Sequence, residues 1–153
     1  MLASKLVRLI EAHSDRLSDD LLAKFLNSEK CSDLRKVPAD EIRDRTREIY
    51  RNLSDWLLSK TEDDIATRYM AIGQRRASQA IALSHVVYAM TITKEHLQQF
   101  VQRETLSDTS LALYSELELV LMLDQFFDRA LYYATRGYER AMAAGAASTS
   151  KVA

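Results

Sequence analysis

Between residues 113 and 141 the chain sets Leu113, Leu117, Val120, Asp124, Phe127, Leu131, Ala134, Tyr138 and Ala141 at alternating spacings of four and three. Such a series lies along one seam of a single long helix, and a strand, with its period of two, cannot reproduce it. A second apolar row, Leu119, Leu123, Phe126, Ala130 and Tyr133, runs beside it. The apolar surface is therefore wider than one contact inside a small domain requires. Starting near Asp108, roughly 35 residues of helix would measure ~50 Å, whereas a compact chain of this length has a radius of gyration of only ~15 Å. The last helix is expected to outreach its own domain and to offer the row Leu119, Phe126 and Tyr133 to a second copy of the chain. Asp124 is expected at that homodimer interface as well, because a polar residue at a seam position fixes register at some cost in stability. A local pair with Arg129 or a partial rotation to solvent is the alternative.

The rest of the chain agrees with helices. Three glycines and one proline in 153 residues leave few places to turn. That length supports one core, burying roughly 70% of the surface an unfolded chain exposes. A formal net charge of −1 argues against nucleic acid as a partner, since neutralising phosphates needs a clear basic excess. Cys31 is the lone cysteine, which excludes an internal disulfide and a cysteine-rich metal site and suits a reducing compartment. The opening "MLASKLVRLIEAH" is interrupted by Lys5, Arg8 and Glu11, unlike a signal peptide. The longest apolar run, 119–123, is far shorter than the ~20 residues of a membrane span. No membrane insertion is expected, and the cytoplasm is the expected location.

Five helices can be placed. The first, about Leu2 to Asn27, carries Leu6, Ile10, His13, Leu17, Leu21 and Phe25 at threes and fours. The polar "NSEKCSDLRK" follows, and Pro38, with Asp40 and Glu41 behind it, opens a second helix reaching about Lys60. "TEDD" at 61–64 resembles a capping box, with Asp64 in the usual Glu position. The third helix ends near Gln79. Ser84 is placed to cap a fourth, whose two apolar rows mark it as central. The expected architecture is all-α: a five-helix bundle with a long C-terminal helix, with a globin-like arrangement as the alternative topology. Residues 1–144 would form one domain and 145–153, "GAASTSKVA", a flexible tail or linker.

Candidate sites are few. His13, His85 and His96 each lack a Glu three residues before them, and no H-E-x-x-H occurs. His85 and His96 share a face but stand ~16 Å apart along their helix, too far for one metal ion. Neither a G-x-S-x-G elbow nor a glycine-rich phosphate loop can be built. No catalytic, cofactor or metal site is expected. The inward stripe Ile65, Tyr69, Ile72 of the third helix ends on Arg76. A guanidinium there either caps carbonyls and pairs with a carboxylate, or joins Tyr69 and His85 in a pocket for a small or anionic ligand. "EIRDRTREIYR" alternates in sign, as a solvated face does.

Taken together, "EAHSDRL", the proline-led second helix, the "GQRRASQAIAL" corner and "FFDRALYYATRGYERA" resemble the N-terminal sensory domain of the RsbT co-antagonist family. The resemblance spans nearly the whole chain. It implies a non-catalytic, usually dimeric input domain that passes a signal along its terminal helix to an output domain or partner, in stress-response signalling. The same corner is also similar to sensor globins, in which a Gly is followed three residues later by the haem-binding histidine. Here Gly73 is followed by Arg76, which implies a haemless relative. A haem or small-ligand binding protein is the alternative function.

Overall fold

The computed structural model describes residues 2–105 and 109–152, with side chains described as far as residue 147. All its regular structure is helical: α1 (Ser4–Ala12), α2 (Ser14–Leu26), a 3-10 segment (Glu29–Lys36), α3 (Ala39–Arg51), a π turn (Asp55–Ser59), α4 (Glu62–Ser78), α5 (Leu83–Glu104) and α6 (Ser110–Val152). The all-α expectation holds. Two of the five expected helices are subdivided. The first bends at His13, whose Nδ1 lies 2.9 Å from the Leu9 carbonyl oxygen, a side-chain competitor inside the helical ladder. The second ends at Arg51, and after the bend Ser54 is held by Glu11 of α1, whose carboxylate accepts from both the Ser54 N–H and its hydroxyl.

The helix ends follow simple chemistry. Thr61 and Asp64 form the expected reciprocal box at the start of α4. Ser84 does not cap α5. Ala82 is the cap residue, and its N–H donates to Asp33 Oδ2 at 2.9 Å, so the 3-10 segment supplies the cap from a distance. That segment was expected as a polar connection, yet it turns Cys31 and Leu34 fully inward. Asp108 lies outside the described residues. Residues 145–152, expected as a tail, continue α6 as helix, which makes it 43 residues and ~65 Å long. A single Gly145 in alanine-rich surroundings costs a helix only ~1 kcal/mol.

The core is built around α6. Its closest companion is α4, and the crossing is seated on glycines: a Cβ on Gly73 would stand 1.9 Å from the Ala134 carbonyl oxygen, and one on Gly137 2.1 Å from that of Met70. Backbone meets backbone there. Just before the crossing Trp56, Tyr69, Phe126 and Phe127 form an aromatic cluster with centroid separations of 5.2 to 6.4 Å.

Candidate functional site

The inward stripe of α4 reaches Arg76 because a partner waits for it. Pro38 starts α3 so that Glu41 falls in its first turn, facing the last turn of α4. Arg76 Nη1 donates to Glu41 Oε1 at 3.1 Å and to Gln79 Oε1 at 2.7 Å. Arg75 grips the same carboxylate with two nitrogens, and Arg45 Nε lies 3.5 Å from it. Three guanidiniums thus share one carboxylate. The hydrogen bonds from Arg75, against the opposing effect of burial, hold Glu41 at about 2, with Arg76 adding to the effect. Burial pulls Arg76 below its ordinary value while Glu41 pulls it back. A buried cation with this much hydrogen bonding stays charged.

Beyond the cluster, α2 to α6 line a half-open cavity of about 120 Å³. Ile42, Ile49, Ile72, Val86, Met90 and Phe127 give it an apolar wall. Its polar residues come from α3 and α4, with Thr93 of α5. Tyr50 is completely buried and its hydroxyl has no hydrogen-bond partner. Burial raises the ionisation of both Tyr50 and Tyr69 well above the ordinary phenol range, and each stays a neutral O–H. Arg45 and Arg68 also line the cavity, each with a buried Nε lacking a hydrogen-bond partner. Of the expected pocket, the structure brings Tyr69 and Arg76 to this cavity and leaves His85 outside its walls. His85 Nδ1 instead accepts from the Asp33 N–H at 3.1 Å. Sequence reasoning missed Glu41, Tyr50, Arg45 and Arg68, all but the last within the stretch read as a solvated face. That reading holds for Arg43, Arg47 and Arg51, which pair with Asp40, Asp19, Asp15 and Asp44 at the surface.

The expected interface row requires correction. Leu119 and Phe126 are buried within the protomer, at 0% and 3% exposure, and Tyr133 is partly buried with its hydroxyl donating to Glu62 Oε1. Phe126 sits in the aromatic cluster and Tyr133 reaches α4 through Glu62, while Leu119 has no exposed surface to offer a partner. Asp124 pairs across to α5, accepting from Gln98 Nε2 at 3.0 Å with Lys94 Nζ at 3.3 Å, and not with Arg129. The opposite face of α6 is the open one: Leu113, Tyr114, Leu117 and Leu121 are each more than half exposed. Among the described residues no group of three or more His, Cys, Asp or Glu could hold a metal ion. Nor is any described helix long and apolar enough to cross a membrane.

A family model for the RsbT co-antagonist protein RsbRD N-terminal domain matches residues 15–152. The chain belongs to that family. No curated protein and no solved structure matches it. Membership places the chain among signalling and stress-response regulatory domains. The RsbRD-type match takes in α2 through α6, and so both the arginine corner and the whole cavity.

Proposed function

We propose that this domain is a signal input module that dimerises through the N-terminal half of α6 and relays a signal along that helix to an output domain or partner protein. The exposed row Leu113, Leu117, Leu121, with Tyr114 beside it, carries the reading. Its four-residue spacing makes a continuous apolar stripe, and a stripe of large residues left in water marks an interaction surface. Two copies related by a two-fold axis would cover both stripes at once. α6 is also coupled to the inside of its domain. Phe127 forms part of the cavity wall, Tyr138 donates its hydroxyl to the Ile81 carbonyl at 2.7 Å, and Arg129 and Tyr133 both reach Glu62. A change at the corner or in the cavity would therefore displace α6, and a shift between paired helices is a known means of transmission.

Sedimentation tests the pairing at micromolar concentration, where Leu117→Glu with Leu121→Glu should yield a folded monomer. Wild-type protein running at 17.5 kDa would end the proposal. The haem reading has less support: the cavity is far smaller than a porphyrin, and none of the three histidines lines it. An absorbance spectrum after haem addition should show no ordered Soret band.

A further inference from the structure

We infer that the cavity between α3, α4, α5 and α6 binds a small monocarboxylic acid with an apolar body of about benzene size. Its volume of about 120 Å³ is close to the ~150 Å³ of a dry apolar cavity that accepts benzene. An empty cavity needs no polar wall, however, and this one has it. Two hydrogen-bond donors among its lining residues are buried and unpartnered, the Tyr50 hydroxyl and Arg68 Nε, and a third, Arg45 Nε, has only the Glu41 carboxylate at 3.5 Å. Leaving such groups unpaired costs ~1–3 kcal/mol each, so they point to an acceptor on the occupant. Thr46 and Thr93, also lining residues, spend their hydroxyl protons on the Ile42 and Ala89 carbonyls and can offer only lone pairs.

Charge selects a carboxylate over a neutral carbonyl. Arg45, Arg68 and Arg76 line the cavity and Arg75 stands behind them, while the acids facing them are Glu41 and Glu48, the latter 3.0 Å from Arg68 Nη2. Four cations against two anions leaves an excess of two positive charges along the α3–α4 side of an apolar cavity. An acid would place its ring or branched chain against Ile49, Ile72 and Met90 and its carboxylate toward Tyr50 and the arginines. Its meaning as a signal rests on the input-domain reading, but the binding itself does not.

Titration calorimetry on the full chain at neutral pH, with benzoate and 4-methylpentanoate as probes and benzyl alcohol and 4-methylpentanol as neutral counterparts, tests the inference. The acids should bind with Kd below about 1 mM and about tenfold more tightly than the alcohols, a preference that charge-assisted hydrogen bonds supply. Tyr50→Phe keeps the shape and removes the hydroxyl; it should fold normally and weaken acid binding by about tenfold. Arg45→Met should erase the preference for acids, and Ala89→Leu, filling the cavity, should abolish binding. Absence of heat with either acid at about 10 mM, equal affinity for acids and alcohols, or unchanged binding by Tyr50→Phe would each overturn the assignment. If Ala89→Leu fails to fold, Tyr50→Phe decides. A protein that binds benzoate yet sediments as a monomer loses the relay and keeps this site, and a dimer that binds neither acid does the reverse.

Discussion

Replacing Gly73 or Gly137 with alanine tests the α4–α6 crossing on which the whole domain is assembled. Ordinary contact begins near 3.4 Å, so the added methyl at Gly73 falls 1.5 Å short (3.4 − 1.9) and that at Gly137 1.3 Å short (3.4 − 2.1). The obstacle in both cases is the backbone of the facing helix, which has no rotamer to change. The helices must move apart, which places the cost at or above the upper end of the ~1–3 kcal/mol typical of overpacking, and contacts of the aromatic cluster loosen with it. Alanine's better helix propensity returns only ~1 kcal/mol. A net loss of ~2–3 kcal/mol follows, or ~4–12 °C in Tm for a domain of this size. One separation accommodates both methyls, so the double variant should lose little more than the worse single one, a clear departure from additivity. Gly145→Ala is the control: a Cβ there meets nothing within 4 Å, and the melt should hold or rise. Urea denaturation followed by circular dichroism supplies the free energies. A Gly73→Ala protein as stable as wild type would refute the close-approach account, and strict additivity would refute the shared displacement.

Glu41→Gln should act only above acid pH. Because the folded carboxyl sits at about 2 against an ordinary 4.5, its contribution is complete above the unfolded value and fades as pH falls from ~5 toward 2. The upper bound is ~3 kcal/mol, reduced to ~1–2 kcal/mol by solvent around the partly exposed cluster. Urea melts of both proteins should differ at pH 7 and draw together as pH falls toward 2, converging only below it; a constant gap would contradict the assignment. Phe126→Ala should cost ~3–5 kcal/mol by opening a hole in the aromatic cluster, a loss read in the same denaturant melts, whereas Phe126 at an interface would cost stability only through the dimer. Ala80 holds φ 59° at the turn after α4, so Ala80→Gly should raise stability by up to ~1 kcal/mol, seen as a higher Tm.

The helical class, the Thr61–Asp64 box and the existence of a partner for Arg76 were legible because each depends on local spacing or on the cost of burying a charge. What Arg76 pairs with was not, since Glu41 is 35 residues earlier and its own stretch alternates in sign like any solvated face. Tyr50 and the cavity were equally hidden. A void is a property of how five helices meet, and no periodicity within one of them reports it.

The misassigned face of α6 has a more instructive cause. A seven-residue repeat advances 3.5 residues per turn while a straight helix turns every 3.6, so a heptad row drifts by ~20° per repeat around the helix. From Leu113 to Ala141 that is four repeats and ~80°. The structure records the drift residue by residue: Leu113 and Leu117 are 52% exposed, Asp124 is intermediate, and Phe127 and Ala134 are buried at 6% and 0%. The 4-3 series is therefore not one surface but a diagonal that begins in solvent, enters the core at Phe127 and Ala134, and is partly exposed again at Tyr138 and Ala141. The row Leu119, Leu123, Phe126, Ala130 and Gly137 has the same spacing of fours and threes but starts on the buried side, and its small residues mark the side where α4 approaches closely. Small residues on an apolar row, more than the regularity of a heptad, indicated the intramolecular face. If two copies pair through Leu113, Leu117 and Leu121, contact should be confined to the N-terminal part of α6, because the heptad row that starts there has turned into the core by Phe127 and the helix beyond it packs on α4 of its own domain.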